Sequence, residues 1–299
     1  MLEHKIVSQV AKIEKSNIKK ATHFALYNGF QLRYLIDLND GKKRLSANIS
    51  AYSRKLGLLM RLLNIMPLQI LTWFKVGCFV KVNLHAEVEE CRKSTQKKYW
   101  NMVIGTYDEK QKIVIQCFNK DGMADYIKIG NATSEKEMNA EITFLQKRTQ
   151  YESFDIPYLL YSRRRIEGSE FNLQITKEFL GDKVQPVLNE DIIEIYREVS
   201  GDKKNNLEFS HGDFAPWNLK RHNGRYTLFD WEHCDYRMQG FDLMHFVVVA
   251  EAVLNGKKVS DAFDIGMDEI RKYIPEFDIS KEKFLVEFQK LRIQIIGRE

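Results

Sequence analysis

The sequence predicts an α+β protein, strand-rich first and helical afterwards. Three observations carry this. Between Trp100 and Gly130 short runs of β-branched and aromatic residues alternate with turn signals, beyond Asp182 the apolar residues fall at helical spacing, and the 299-residue chain is 44% hydrophobic and 12% aromatic, enough to bury a large core.

Each element has a local reason. Residues 101–107, 112–118 and 124–129 read as three strands, the first two joined through Asp108-Glu109-Lys110-Gln111 and the next pair through a turn containing Asp121-Gly122, a hairpin dipeptide. Ser134 reads as the N-cap of a helix through Met138, Ile142 and Leu145, with Glu137 at the capping-box position. Residues 157–162 and 172–178 complete the strands. Asn189 then caps a helix reaching Ser200, and Tyr226 to Phe229 form a short strand after the turn His222-Asn223-Gly224-Arg225. Residues 241–254 are apolar nearly all round and read as a buried core helix, while 260–273 and 280–295 read as amphipathic helices.

Composition narrows the class. The four cysteines, Cys78, Cys91, Cys117 and Cys234, are widely spaced without a CxxC pair, which predicts reduced thiols in a cytosolic protein rather than a zinc site. The start lacks an apolar signal-peptide core, and no run of about 18 apolar residues occurs. Net charge is a modest +5, but it is unevenly placed. From Gly41 to Ala86 there is no Asp or Glu and there are eight bases, interleaved with leucines, isoleucines, Trp73 and Phe74. Two readings stay open for this stretch: helices packed on their own protein with the bases on the wet face, or peripheral contact with an anionic membrane through residues 41–86. Nucleic acid is disfavoured as a partner, although a basic patch alone does not separate it from lipid.

The chemistry is concentrated in His211-Gly212-Asp213-Phe214-Ala215-Pro216-Trp217-Asn218 and Leu228-Phe229-Asp230-Trp231-Glu232. A loop carrying Asp213 and Asn218 beside a strand end carrying Asp230 would bring three oxygen groups together. That is the arrangement phosphoryl transfer from ATP needs: Asp213 to accept the proton of an attacking hydroxyl, Asn218 and Asp230 as hard ligands for Mg²⁺. Each residue also has a plain reading, Asp213 and Asn218 as turn formers and Asp230 as a strand-end cap.

These two motifs, with Gly240-Phe241-Asp242-Leu243 behind them, resemble the signature of the aminoglycoside phosphotransferase and choline kinase family, a branch of the protein-kinase-like fold. The resemblance implies a bilobal architecture with a basic extension over 1–95, a β-rich N-lobe over 96–181 and a helical C-lobe over 182–299. It implies ATP and Mg²⁺ as cofactors, Asp213 as catalytic base, Asn218 and Asp230 as metal ligands and Asp242 as a buried partner of the loop. Lys128 would grip the α and β phosphates, oriented by Glu141, and Glu178 to Leu180 would form the hinge where backbone groups meet the adenine. The sequence departs from the family in lacking a GxGxxG run in the first hairpin, in the short helical region after Asp242, and in the long basic extension. The extended N-terminal region, with the strands of Gly105-Thr106 and Lys128-Ile129, resembles members associated with bacterial surface polysaccharide synthesis, so the expected acceptor is the hydroxyl of a sugar or lipid-linked sugar. An aminoglycoside or choline/ethanolamine-type acceptor is the alternative. The expected location is cytoplasmic, with a peripheral position at the inner face of the membrane as the open alternative that residues 41–86 raise. A kinase-like binding module without turnover is the alternative of another class; its usual mark is loss of a site residue, and here Asp213, Asn218, Asp230 and Lys128 are all present.

Overall fold

The computed structural model describes residues 5–39, 41–42, 65–105, 109–120, 123–164, 171–178 and 181–296. They divide into two compact units, Met1–Asn139 with Tyr158–Glu178 and Ala140–Pro157 with Phe179–Glu299.

In the first unit helix α1 (Lys5–Val10) leads into strand β1 (Ala11–Lys15), followed by the hairpin of β2 (His23–Asn28) and β3 (Gln31–Asp37). Helix α2 (Leu68–Trp73), β4 (Gly77–Leu84) and α3 (Ala86–Ser94) come next, then β5 (Tyr99–Ile104), β6 (Lys112–Phe118) and β7 (Asp125–Gly130). Helix α4 (Glu135–Gln146) runs on into the second unit, and β8 (Leu159–Arg163) and β9 (Asn172–Lys177) complete the sheet. The nine described strands form one antiparallel sheet in the order β1-β4-β2-β3-β5-β6-β7-β9-β8. Thus the three strands expected between residues 101 and 129 lie at its centre.

The stretch before residue 95 is built into this sheet. Tyr34 pairs with Val103 and Leu35 with Met102 across the β3–β5 seam. Buried polar groups close the seam: Asn101 Oδ1 accepts from the Asp37 amide at 3.0 Å, Asn101 Nδ2 donates to the Gly41 carbonyl at 2.9 Å, and His23 Nε2 donates to the Trp100 carbonyl at 3.0 Å. Alternation with period two then gives the sheet two faces. On one, Leu35, Met102, Ile104, Ile113, Ile115, Ile127, Ile129 and Leu173 pack with Ile6, Val7 and Val10 of α1 and Val88 of α3. On the other, Phe24, Leu26 and Ile36 receive Leu71 of α2. Residues 43–64, the centre of the basic stretch, lie outside the described residues.

One expected cap differs. Asn131, not Ser134, caps the helical start: its Oδ1 accepts from the amides of Thr133 and Ser134. A 3₁₀ turn over Ala132–Ser134 moves the cap upstream, which leaves Ser134 buried with its hydroxyl on the Asn131 carbonyl at 3.2 Å. The Glu137 carboxylate bonds Lys110 Nζ at 2.5 Å.

The second unit holds α5 (Glu190–Val199), β10 (Leu207–Ser210), the hairpin of β11 (Leu219–His222) and β12 (Arg225–Leu228), and β13 (Asp235–Met238) paired with β10. Helices α6 (Phe241–Leu254), α7 (Val259–Arg271) and α8 (Lys281–Ile296) follow. Asn189 caps α5 through its Oδ1 and the Ile192 amide at 3.0 Å, as its position in the sequence predicted. Helix α6 is buried at every residue from Phe241 to Ala250, the outcome expected of a helix apolar all round. Gly266 of α7 lets the two helices approach, since a Cβ there would come within 2.6 Å of the Met244 sulfur. No described helix is long and apolar enough to cross a membrane.

The seam gives a stability prediction. Leu35→Ala removes a fully buried side chain opposite Met102 and is expected to cost roughly 2–5 kcal/mol in urea denaturation. A midpoint equal to wild type would mean that the first four strands do not share the core of the rest.

Candidate functional site

The loop after β10 is positioned by one buried carboxylate. Asp242, in the first turn of α6, accepts from the Ser210 hydroxyl at 2.7 Å, the His211 amide at 2.6 Å and the Gly212 amide at 3.0 Å. Burial pushes its pKa up and these three donors oppose that, so the site of the charge is set by hydrogen bonds. Gly212 takes φ +80°, and a Cβ there would strike the His233 carbonyl. Only glycine allows the chain to turn so sharply toward Asp213.

Asp213 and Asn218 come together, as their spacing predicted. Asn218 Nδ2 donates to the Asp213 carbonyl at 2.8 Å and to Asp213 Oδ2 at 3.0 Å. Since both partners are oxygens, the amide must present nitrogen to Asp213 and its carbonyl oxygen on the other side. Pro216 to Asn218 form a short 3₁₀ turn that shortens the distance between the two. His211 ties this loop to the strand end carrying Asp230: its Nε2 donates to the Phe229 carbonyl at 3.0 Å and its Nδ1 accepts from the Asp213 amide at 3.2 Å. That pattern fixes a neutral tautomer, consistent with burial driving the imidazole pKa down to about 3. His245 of α6 lies behind the carboxylate, with Nε2 3.7 Å from Asp213 Oδ1 and Nδ1 donating to the Phe214 carbonyl at 3.0 Å. Burial lowers its pKa to about 4.

Asp230 follows β12 in the left-handed region, φ +70°, a conformation that Asp tolerates better than most residues. Trp231 holds it there by donating Nε1–H to the Leu228 carbonyl at 2.9 Å and stacking on Phe144 of α4, with ring centroids 3.9 Å apart. Phe144 sits three residues after Glu141, so both project from one side of the helix. The consequence is a carboxylate group of three: Glu141, Asp230 and Glu232 each bring an oxygen within 4.8 Å of the others. The set is all hard oxygen, without thiol or imidazole, which fits Mg²⁺ and not a softer metal. Glu232 is the addition that sequence reasoning left unassigned, although its place two residues after Asp230 was visible.

Lys128 is in the first unit, on β7, with Val114 and Gln174 as its cross-strand neighbours, whereas Glu141 belongs to the second. Glu178 is buried at the end of β9, its amide donating to the Ala124 carbonyl at 2.9 Å and its carboxylate accepting from the Ala124 amide at 2.6 Å. Leu180 lies outside the described residues. His211, Ser210 and His245 were not anticipated as site groups; the first two flank or begin the recognised motif, and His245 is legible only as one polar residue in an apolar helix.

No family model matches the chain, and no curated protein matches it. Among solved structures it is similar to a thermostable mutant of aminoglycoside phosphotransferase APH(4)-Ia in complex with ADP and hygromycin B, at TM-score 0.48 and 9% identity over 71% of this chain and 92% of that one. It is also similar to amicoumacin kinase hAmiN with AMP-PNP, Ca²⁺ and Ami, at TM-score 0.44 and 13% identity over 72% and 87%. A further match is spectinomycin phosphotransferase APH(9)-Ia with ADP and spectinomycin, at TM-score 0.43 and 9% identity over 70% and 86%.

A second buried acid supports the start of α6. Glu208 of β10 accepts from the Gly240 amide at 2.7 Å and from the Tyr196 hydroxyl at 2.9 Å, and burial pushes its pKa up to about 7. Its folded pKa lies above the unfolded value, so its contribution to stability is fully present below the ordinary glutamate range and is lost as pH rises through about 7. Glu208→Gln stays neutral at every pH. Its stability relative to wild type is therefore expected to improve from pH 5 to pH 8 in paired thermal melts, and a difference independent of pH would contradict this.

Proposed function

We propose that the chain is an ATP- and Mg²⁺-dependent phosphotransferase acting on a hydroxyl group of a small molecule. The observation that carries this reading is the hydrogen-bonded pair of Asp213 and Asn218, linked through His211 to the strand end of Asp230. Asp213 accepts the proton of the acceptor hydroxyl as that oxygen bonds to the γ-phosphorus, and the bond from that phosphorus to the β,γ-bridging oxygen breaks, its electron pair leaving with ADP; general-base help of this kind is worth ~10²–10⁴-fold. Asn218 keeps the carboxylate aimed by holding Oδ2. Mg²⁺ would be held by the oxygens of Asn218 and Asp230, with Glu232 and Glu141 grouped beside Asp230, and would supply neutralisation of phosphate charge. Lys128 and Glu178 keep in this proposal the nucleotide roles that the resemblance implied.

The acceptor in this reading is a sugar or lipid-linked sugar of surface polysaccharide synthesis. Its support is the basic, acid-free stretch 41–86, which suits peripheral contact with the anionic surface where such an acceptor resides.

Two variants separate the roles. Asp213→Asn is expected to lose ~10²-fold or more of phosphoryl transfer while keeping the Mg²⁺-dependent thermal shift with ATP. Asp230→Ala is expected to lose that shift. Wild type would be screened with lipid-linked sugars, aminoglycosides and choline side by side. Metal-dependent nucleotide binding without transfer to any of them would favour a binding module, and no metal-dependent shift would sink the kinase reading.

A further inference from the structure

We propose that one end of the nine-stranded sheet is a docking surface for an anionic phospholipid bilayer. Two segments meet there. The β2–β3 hairpin turns at Asn28-Gly29-Phe30-Gln31, and Phe30 is 101% exposed, so its ring stands clear of the protein surface. Strand β4 starts at Gly77 opposite Leu26, and the Val76 carbonyl accepts from the Tyr27 amide at 2.9 Å. Register therefore places the link from α2 to β4 beside the hairpin tip. That link carries Trp73 at 89% exposure, Phe74 at 69%, then Lys75 and Val76.

Helix α2 explains why these rings face out. Its inner side buries Leu71 against Phe24, Leu26 and Ile36, with Leu68 packed on the same cluster. Ile70 and Trp73 occupy other positions of the helix and are exposed. A short helix apolar on both sides, next to a fully exposed Phe, is a patch that water alone does not explain. Trp and Phe with an adjacent Lys are the residue types that anchor proteins in the headgroup region.

Charge selects the bilayer as occupant. The patch lies within or beside the stretch from Gly41 to Ala86, which has eight bases and no acid. An anionic headgroup layer complements both parts of the patch at once: Phe30, Trp73 and Phe74 enter the acyl boundary while Lys75 meets phosphates. Rings that protrude from a hairpin tip and a helix end suit a soft layer, whereas a protein partner would need matching pockets. The inference rests on the proposed lipid-linked acceptor for its purpose, but the contact is measurable without turnover.

The test uses the full chain and vesicles of phosphatidylcholine alone or mixed with phosphatidylglycerol. Wild type is expected to float with the anionic vesicles only, and Trp73 emission to shift to the blue and be quenched by brominated acyl chains. Trp73→Phe identifies that signal against Trp100, Trp217 and Trp231 while keeping an apolar ring. Phe30→Ser with Trp73→Ser and Phe74→Ser is expected to weaken partition at least about tenfold with an unchanged melting temperature, because all three side chains are exposed. Asp213→Asn is expected to float as wild type does, so a failed kinase reading would leave this result intact. Equal flotation with neutral vesicles, or of the triple variant, would overturn the proposal. So would Trp73 emission that is already blue and shielded from aqueous quencher without lipid, since residues 43–64 or a second copy would then cover the patch.

Discussion

The loop chemistry depends on burying one negative charge. Asp242 lies in the first turn of α6, where a helix end favours an anion, and it accepts from one hydroxyl and two backbone amides. A buried carboxylate without those donors would be strongly disfavoured, and the amides of His211 and Gly212 without it would be unsatisfied. Each side therefore requires the other. Glu208 repeats the device two residues earlier on β10, receiving the Gly240 amide just before α6. Helix and loop are fixed by acids that pair with backbone, so the position of Asp213 follows from the packing of α6.

Two histidines extend this logic without adding charge. Both His211 and His245 are buried enough to remain neutral across the physiological range, and each donates one N–H to a backbone carbonyl. A neutral ring with one donor and one acceptor has only one way to satisfy its surroundings. His211 uses it to hold the Asp213 amide and the Phe229 carbonyl together. Loop and strand end are thus set relative to each other by a ring that makes no demand on the local charge, which leaves the carboxylates of Asp213 and Asp230 to define the field.

Much of this was legible because it rests on local pattern. The Asp213–Asn218 spacing, the Asn189 cap and the apolar surround of α6 each act within a few residues. The hairpin before residue 95 has a local signal as well: Asn28-Gly29 stands between two runs of aromatic and branched residues. What local pattern does not encode is convergence. Glu232 joins Glu141 because Phe144 stacks on Trp231, a contact across some 87 positions of sequence, and His245 reaches Asp213 only through the docking of α6. The Ser134 cap failed for a subtler reason: the helical start begins with a 3₁₀ turn three residues earlier, where Asn131 accepts from the amides of Thr133 and Ser134 and leaves Ser134 inside the turn.

The seam between the early strands and the rest of the sheet explains why they form one body. Asn101 accepts the Asp37 amide through Oδ1 and donates through Nδ2 to the Gly41 carbonyl and Gln116 Oε1. Gln116 donates onward to the Tyr126 hydroxyl at 3.2 Å, and that hydroxyl approaches Glu178 at 3.5 Å. This buried chain runs across β5, β6 and β7 on the face that also carries Lys128, by the period-two rule. Polar groups sequestered this way cost free energy if any link is broken, whereas an apolar seam could slip in register or part. The carbonyl of Gly41 is thereby tied into the same network as Glu178, so the entrance to the basic stretch and the end of β9 are held in fixed relation by hydrogen bonds rather than by proximity in sequence.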